Sequence, residues 1–477
     1  MDREWKFFID GEWRSSSRHR PVVNPYTRET IGTVAQASAK DILDAFTAAH
    51  RAFENTKKLQ GYERSAILME IANALRNRKE ELARLITDES GKPIRFSRAE
   101  IDRSIFTFII ASEEAKRIYG ETLPLDLTPQ SNQRLGILRR FPIGVIAAIT
   151  PFNFPINLVA HKVAPCIAAG NTVLLKPASS TAAAASAFTE IIAESSLPNG
   201  AFNLVTCPGA EAEVLATEPR IAMLTFTGSP EIGWRLKEKA WKKKVTLELG
   251  GNAGIIIDEK IALDPIIPRI VQGSFGNAGQ SCIAVQRIFV HRSLFEEFRE
   301  KFVMATQKVV SGDPTNDSTV VGTMIDEAAA IKTEEWIKEA VNLGAKVLIG
   351  GTREDAVFAP TVLVQTTNAM KVECREVFAP VVTLTSVDSF NEALRKLNDS
   401  QYGLQAGIFT NDLYNAFMAY EVLEVGGVMI NDYPTYRVDH MPYGGVKESG
   451  MGREGVRYAI EEMTEPKLMV LNLSKSF

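Results

Sequence analysis

The sequence predicts an α/β protein built on two mainly parallel, Rossmann-like β-sheets. From Gly144 onward, short apolar runs alternate with helical spacers, and residues 145–149 are the first of these runs. A second series of the same kind begins near residues 255–257. The chain has 477 residues, of which 45% are apolar, and this is enough for two or three packed domains. Because short buried strands that alternate with helices are typical of parallel sheets, these observations favour two such units.

The first predicted elements precede the sheets. Residues 6–13 read as a β-hairpin that turns at an Asp-Gly pair, a favoured two-residue turn. A helix is predicted from Ser38, because Asp41 can form a capping box with it. The apolar residues of this helix fall on one face: Ile42, Phe46, Ala49 and Phe53. A longer helical region is predicted over residues 63–88.

The predicted strands form two series that divide near Gly250-Gly251. The first series comprises residues 145–149, 172–175, 202–205, 223–226 and 245–247. The second series comprises residues 255–257, 288–290, 347–349, 362–364, 381–384 and 407–409. Each run is short and mostly apolar, which predicts strands that are buried on both faces.

The composition excludes several classes of protein. A net charge of −4 gives no basic surface of the kind that phosphate backbones require, so nucleic acid is not an expected partner. No run approaches the roughly 18–20 apolar residues of a membrane span, and the charged start is unlike a signal peptide. We therefore expect a soluble, cytoplasmic protein that does not bind membranes. The cysteines and histidines have no paired spacing, so neither a disulfide framework nor a metal site is expected.

Cys282 and Glu248, which lie 34 residues apart, are the candidate nucleophile and base. A thiolate can attack a carbonyl carbon, and a carboxylate can take a proton from the thiol or from a later water. A single cysteine is more often a small buried apolar residue. Here Gly276 and Gly279 precede it, and such backbone permits close approach of a ligand. The flanking sequence therefore favours a site over a core position.

Both residues belong to segments that resemble motifs of NAD(P)-dependent aldehyde dehydrogenases. Six segments occur in the family's order: Pro151-Phe152-Asn153-Phe154-Pro155, Gly228-Ser229-Pro230-Glu231-Ile232-Gly233, Leu247-Glu248-Leu249-Gly250-Gly251, Gly279-Gln280-Ser281-Cys282, Glu376-Val377-Phe378 and Gly444-Gly445-Val446-Lys447-Glu448-Ser449-Gly450. Each segment alone is weak. Six in register along essentially the whole chain make the resemblance specific.

The resemblance implies a domain organisation and an assembly. Residues 1–120 and 141–250 would form the NAD(P)-binding domain, and residues 251–450 the catalytic domain. Residues 121–140 and 451–477 would form an oligomerisation arm and C-terminal segment, with a β-arm completed by a strand near residues 467–473. Such arms pair subunits in relatives, so the resemblance implies a homodimer or homotetramer.

Residues 228–233 are the better of two candidates for binding the pyrophosphate of a dinucleotide. They follow a predicted strand and open a helix, so free N–H groups between Gly228 and Gly233 and the Ser229 hydroxyl can face phosphate. An ordinary helix cap is the alternative, and the resemblance favours phosphate. Residues 450–455 fit G-x-G-x-x-G, but only 22 residues follow, which is too few for a βαβ unit. We predict no dinucleotide site there.

Other residues are assigned to the cofactor. Lys176 ends a predicted strand at the sheet edge where ligands bind, and can reach an adenosine ribose. NAD-preferring relatives usually have Glu where this chain has Ser179, and a serine does not repel a 2′-phosphate. NAD and NADP are both expected, with NADP preferred, although Ser179 is also a normal helix-start residue. The resemblance places Glu376 on the nicotinamide ribose and Phe378 beside the ring. It implies further cofactor contacts at Thr150, Phe152 and Leu249.

The family's mechanism, transferred to this chain, is oxidation of an aldehyde to a carboxylic acid. Cys282 would attack the aldehyde, and the Asn153 amide with the Cys282 N–H would stabilise the oxyanion. After hydride transfer, Glu248 would activate the water that hydrolyses the thioester. A cysteine hydrolase and a catalytically inactive structural homologue remain alternatives. No histidine lies near Cys282 in sequence, which counts against the first, and the retained motif residues count against the second.

Three side chains suggest the substrate. On the motif alignment, Arg103, His161 and Arg437 fall in the family's substrate tunnel, where Phe154 and Tyr436 are also expected. Single arginines are mostly exposed or salt-bridged. Three converging donors nevertheless favour an anion pocket, because the planar guanidinium group of arginine can bind a carboxylate or phosphate through two parallel hydrogen bonds. The predicted substrate is a short aldehyde with an anionic or strongly polar tail.

Overall fold

The computed structural model describes residues 3–473. The strands of these residues are β1 (Glu4–Trp5), β2 (Phe7–Ile9), β3 (Glu12–Arg14), β4 (His19–Val23), β5 (Thr30–Ala35), β6 (Glu121–Pro124), β7 (Arg134–Pro142), β8 (Val145–Ile149), β9 (Thr172–Lys176), β10 (Phe202–Leu204), β11 (Ile221–Thr227), β12 (Lys244–Glu248), β13 (Ala253–Ile257), β14 (Val285–His291), β15 (Lys346–Ile349), β16 (Arg353–Glu354), β17 (Val357–Phe358), β18 (Thr361–Val364), β19 (Val381–Val387), β20 (Tyr402–Gly403), β21 (Gln405–Phe409), β22 (Gly427–Ile430), β23 (Val446–Lys447), β24 (Gly450–Met451) and β25 (Thr464–Asn472).

Helices fill most of the connections between the strands. The α-helices are α1 (Ala39–Thr56), α2 (Gly61–Asn77), α3 (Lys79–Ser90), α4 (Ile94–Glu114), α5 (Asn157–Ala169), α6 (Ala182–Ala193), α7 (Val214–Thr217), α8 (Pro230–Lys239), α9 (Ile267–Phe275), α10 (Phe295–Thr306), α11 (Glu327–Asn342), α12 (Lys371–Cys374), α13 (Phe390–Asn398), α14 (Leu413–Val422) and α15 (Val456–Glu462). Short 3-10 helices cover Pro129–Ser131, Ser179–Thr181, Glu211–Glu213 and Gly276–Gly279.

The N-terminal elements follow the predicted pattern. β2 and β3 form the hairpin, and Ser38 and Asp41 form the predicted capping box at the start of α1. The predicted helical region over residues 63–88 is two helices, because the backbone at Arg78 leaves the helical conformation between α2 and α3.

The first sheet has eight strands in the order β24-β12-β11-β8-β9-β10-β2-β3. Its five central strands are parallel, whereas the edge pairs β24–β12, β10–β2 and β2–β3 are antiparallel. β8, β9 and β10 are buried along their whole length, as the apolar runs predicted. The edge strand β24 comes from the C-terminal part of the chain, and α15 packs on α4 and α5 beside the same sheet.

The second sheet has seven strands in the order β15-β18-β19-β14-β13-β21-β22. All neighbours are parallel except β15 and β18. Two mainly parallel sheets with intervening helices confirm the predicted α/β fold, with antiparallel strands added only at the sheet edges.

A separate three-stranded sheet, β25-β7-β6, forms an arm. β25 pairs with β7 along its full length, from Thr464 opposite Pro142 to Asn472 opposite Arg134. Three successive apolar side chains of β25 are about half-exposed: Leu468, Met469 and Val470. No helix within residues 3–473 is long and apolar enough to cross a membrane.

Candidate active site

A cavity of about 390 Å³ lies at the carboxyl ends of β8, β11 and β12 and reaches residues that precede β14 in the second sheet. Ligands of open α/β sheets bind at such strand ends. The loop after β8, Gly228-Ser229 after β11 and Glu248 at the end of β12 line one side. Cys282 and the segment from Glu376 to Phe378 line the other.

The backbone segment before Cys282 has an unusual conformation, which determines where the cysteine lies. After α9, Asn277, Ala278 and Gly279 all have positive φ angles, of 53°, 53° and 66°. A Cβ atom at Gly279 would clash with the carbonyl oxygen of Ala379, so this position requires glycine. The Cys282 Sγ shares a hydrogen bond of 2.8 Å with the Tyr443 hydroxyl. Burial raises the pKa of the Cys282 thiol to about 12, so the resting group is the neutral thiol.

Glu248 ends β12 with its carboxyl group buried. Neither carboxyl oxygen has a hydrogen-bond partner among the described residues. Burial, and secondly the nearby charge of Glu454, raise the pKa of Glu248 well above its usual range. Burial also disfavours the charge on Glu454, but Lys162, His161 and Arg437 outweigh it and lower the pKa of Glu454 to about 2. Glu454 is therefore the charged member of this pair.

Asn153 lies on the loop after β8 and faces the Cys282 segment. Its Nδ2 donates to the carbonyl oxygen of Gln280 at 3.0 Å, and its Oδ1 has no partner among the described residues. The loop is fixed from behind by a buried ion pair, since Lys92 Nζ donates to the Asn153 carbonyl oxygen at 2.8 Å and to Glu100 at 2.5 Å. Glu100 in turn accepts from the backbone N–H groups of Ile156 and Asn157 at 2.9 and 3.0 Å.

Several predicted cofactor residues lie on the same cavity wall: Phe152, Gly228, Ser229, Leu249, Glu376 and Phe378. Glu376 accepts from the Gly251 N–H at 2.9 Å, and burial raises its pKa to about 7. The rings of Phe152 and Phe378 meet edge-to-face at 5.8 Å. Ser229 starts α8, yet its side chain makes no capping hydrogen bond, which leaves the hydroxyl free for phosphate. These groups fit a dinucleotide.

The predicted adenosine-side residues lie apart from the cavity around Cys282. Lys176 ends β9, and its carbonyl oxygen accepts from the Thr150 N–H at 3.2 Å on the neighbouring strand end. Ser179 begins a 3-10 helix and donates to the Cys207 carbonyl oxygen at 3.4 Å. Gly233 packs against Leu249, where a Cβ atom would clash with that side chain. Gly233 thus permits close packing of α8 rather than contributing a polar group.

The predicted anion-binding residues do come together, but two acids accompany them. Arg103 pairs with Asp439 at 2.7 and 3.2 Å, and His161 Nε2 lies 2.8 Å from the same carboxylate. Arg437 lies 3.4 Å from His161 Nε2 and 3.3 Å from Glu454. Only Arg103 and Arg437 of the predicted three line the cavity, because the buried His161 ring is engaged by Asp439 behind them.

The two aromatic residues expected in the tunnel differ in their placement. Phe154 lines the cavity, with Lys92 Nζ at 3.8 Å and Arg103 Cζ at 5.7 Å from its ring. Tyr436 is not on the cavity wall and is 45% exposed, since the loop turns its side chain outward next to Arg437.

Sequence reasoning missed four polar residues of the site: Asn157, Tyr443, Asp439 and Glu454. Tyr443 directly precedes the Gly444-Gly445 motif, and a polar aromatic residue at that place could have indicated a residue of the site. Glu454 falls within residues 450–455, whose glycine spacing resembles a dinucleotide motif and does not indicate an acid of the active site. Nothing in the local sequence distinguishes Asp439, whose partner Arg103 is 336 residues away.

Comparison with known proteins agrees with the geometry. A model of the aldehyde dehydrogenase family matches residues 13–469. The chain is 45% identical to 3-sulfolactaldehyde dehydrogenase of Priestia megaterium over 472 residues, 99% of this chain and 98% of that protein. Aldehyde dehydrogenase 21 from Physcomitrella patens, in complex with the reaction product succinate, superposes with a TM-score of 0.98 at 44% identity, covering 100% of both chains. NADP-dependent glyceraldehyde-3-phosphate dehydrogenase from Bacillus halodurans, complexed with NADP, gives 0.96 at 34%, covering 99% of this chain and 100% of that one.

Proposed function

The chain belongs to the aldehyde dehydrogenase family and is an NAD(P)-dependent aldehyde dehydrogenase, and from this premise we propose that it oxidises a short anionic aldehyde with NADP as the preferred cofactor. The observation on which the substrate depends is the pair Arg103 and Arg437, both on the wall of the cavity that contains Cys282. Neither the cysteine hydrolase nor the inactive homologue gains support from the relatives.

The charge balance of the ion-pair network around Arg103 and Arg437 supports an anionic substrate. Three cations, Arg103, Arg437 and Lys162, face two acids, Asp439 and Glu454. Glu248 adds no charge while its raised pKa keeps it protonated. One positive charge is left over, and an anionic tail on the substrate would balance it.

The relatives support the same class of substrate. One is named for a sulfonated aldehyde and one for a phosphorylated aldehyde, and one holds succinate, a dicarboxylate. The sulfonate, phosphate and carboxylate groups differ in shape. An Arg fork can bind each of them, so the shared feature is the anionic tail.

In the proposed mechanism, the deprotonated form of Glu248 takes the proton of the Cys282 thiol and passes it to solvent, and the resulting thiolate attacks the aldehyde carbon. One Nδ2 hydrogen of Asn153 is committed to Gln280, which leaves the other, with the Cys282 N–H, for the oxyanion. Bound NAD(P) supplies the hydride acceptor. Glu248, once deprotonated, takes a proton from the water that hydrolyses the Cys282 thioester, and the carboxylic acid leaves.

The cofactor would be held along the edge of the first sheet. Lys176 and Ser179 would contact the adenosine ribose, and Ser229 with the free N–H groups of α8 would contact the pyrophosphate. Glu376 would accept hydrogen bonds from the nicotinamide ribose hydroxyls. Ser179 supports NADP because it places no negative charge beside a 2′-phosphate.

We also propose that the protein is a homodimer or homotetramer. β25 exposes apolar side chains on both of its faces, and α14 exposes an apolar patch made of Leu413, Tyr414, Phe417 and Tyr420. Large exposed apolar patches mark interaction surfaces, and identical chains would bury both.

Steady-state assays of NADP reduction test the proposed function. The substrates are 4-oxobutanoate, which has an anionic tail, and butanal, its neutral match in length. We expect a far higher kcat/KM for 4-oxobutanoate, and Arg103→Leu or Arg437→Leu should remove most of that preference. Equal values for both aldehydes in the wild-type protein would contradict the anionic substrate.

A further inference from the structure

One polar side chain separates the thiol from the anion-binding arginine. The Tyr443 hydroxyl lies 2.8 Å from Cys282 Sγ, and the Arg437 guanidinium carbon lies 3.7 Å from the centre of the Tyr443 ring. All three groups line the same cavity. A substrate whose carbonyl carbon is at Cys282 and whose anionic tail is at Arg437 therefore passes over Tyr443.

Tyr443 presents a hydroxyl that stays protonated. It is 3% exposed, and burial raises its pKa well above the usual range. Its only side-chain hydrogen-bond partner among the described residues is the Cys282 sulfur. When Cys282 forms a carbon–sulfur bond, the thiol proton is gone and the remaining thioether-like sulfur is a weak acceptor. The buried Tyr443 hydroxyl then lacks a good partner.

The covalent bond between Sγ and the aldehyde carbon determines which substrate carbon lies beside the Tyr443 hydroxyl. The aldehyde carbon is attached directly to Sγ, and the neighbouring carbon is one bond further along. A group that touches Sγ from the side of Arg437 is thus next to the second carbon of the substrate. A hydroxyl on that carbon would be in reach of Tyr443.

A second, independent observation points to the same wall. Asn157 lines the cavity and is 1% exposed, yet neither its Nδ2 nor its Oδ1 has a hydrogen-bond partner among the described residues. It lies one helical turn before His161 on the same face of α5, and His161 contacts Arg437. Buried amide groups are nearly always bonded, so this amide is suited to a polar group of the ligand.

We propose that Tyr443 and Asn157 form a subsite for a hydroxyl on the carbon next to the aldehyde, so that the enzyme selects 2-hydroxy aldehydes. The Tyr443 hydroxyl donates to, or accepts from, the substrate hydroxyl, and the Asn157 amide supplies the complementary group. The inference rests on the proposed function, because the anionic tail at Arg437 directs the substrate past Tyr443.

The test compares two aldehydes that differ only in that hydroxyl: 3-hydroxy-4-oxobutanoate, in which it is adjacent to the aldehyde, and 4-oxobutanoate, in which it is absent. We expect the Tyr443→Phe enzyme to lose about tenfold or more of kcat/KM for the hydroxylated aldehyde, because a buried hydroxyl then lacks its partner. Loss of the hydrogen bond to Cys282 affects both aldehydes equally, so the quantity to measure is the ratio of the two kcat/KM values, which should fall about tenfold. Asn157→Leu should change the same ratio in the same direction. Tyr62→Phe, on the exposed start of α2, is the matched control.

Equal losses for both aldehydes in a Tyr443→Phe enzyme of unchanged melting temperature would overturn the subsite and make Tyr443 a support for the thiol or the oxyanion. No loss for either would overturn it too. If Tyr443→Phe is unstable, Asn157→Leu decides by the same ratio. Failure of the proposed function is seen separately in the wild-type enzyme, as a failure to prefer 4-oxobutanoate over butanal.

Discussion

The thiol of Cys282 is the residue on which the proposed covalent step depends. We predict that Cys282→Ala abolishes aldehyde oxidation, to below about one-thousandth of wild type, because Cys282 supplies the only thiol among the residues that line the cavity. Fluorescence titration with NADPH should show unchanged cofactor binding. Cys374→Ala, which alters a half-buried cysteine of α12, is the control and should retain activity.

The interaction between Glu248 and Glu454 predicts how kcat depends on pH. Glu248 accepts a proton only when deprotonated, and its pKa is raised, so kcat should increase as the pH rises through that pKa. Glu454→Gln removes the neighbouring negative charge and leaves Lys162 uncompensated. Both changes lower the pKa of Glu248 and should move the rising limb of the kcat profile to lower pH. A limb that stays in place would show that Glu454 does not act on Glu248.

Ser179 predicts the cofactor preference. Ser179→Glu should shift the ratio of kcat/KM for NADP and NAD towards NAD, because a carboxylate repels the 2′-phosphate and accepts from the 2′-hydroxyl. The ratio is the quantity to measure, since a change in the overall rate affects both cofactors. An unchanged ratio would mean that Ser179 does not face the ribose.

The sequence predicted the catalytic candidates better than their surroundings. Cys282, Glu248 and Asn153 stand in local motifs, and the structure gathers them around one cavity. Asp439 and Tyr443 act through contacts with residues far away in the chain, and these contacts depend on how separate segments pack. Their local sequence has no periodicity that could reveal such contacts.

At the level of elements, the loop after β8 depends on a helix that precedes it. Lys92 and Glu100 are both fully buried and pair with each other beneath that loop. Lys92→Met should destabilise the protein by about 3–5 kcal/mol, because it leaves the Glu100 carboxylate buried without its cation. Urea unfolding measures this free energy. Lys40→Met, in an exposed pair with Asp44, should cost less than about 1 kcal/mol, and equal effects would contradict the argument.

The central strands were predictable because they are buried on both faces and appear as continuous apolar runs. The edge strand β24 was not, since it has only two residues and pairs antiparallel with β12. Residues 63–88 were predicted as a helical region, without the division into two helices. The break at Arg78 between α2 and α3 lacks a glycine or proline that could have indicated it.

At the scale of the whole molecule, the arm predicts the assembly. Met469→Asp places a charge in the middle of the exposed apolar stretch of β25 and should shift the oligomer towards monomers. Light scattering after size-exclusion chromatography measures the mass. Leu43→Asp, at an exposed apolar position on α1, is the control and should leave the mass unchanged.

The late position of β24 in the chain has a consequence for synthesis on the ribosome. Gly450 pairs with Glu248, and Tyr443 and Glu454 surround the thiol from the same late segment. A nascent chain that ends before this segment has Cys282 without its hydroxyl partner and β12 as an unprotected sheet edge. The order of translation therefore delays assembly of a reactive centre until residues 443–454 have emerged from the ribosome.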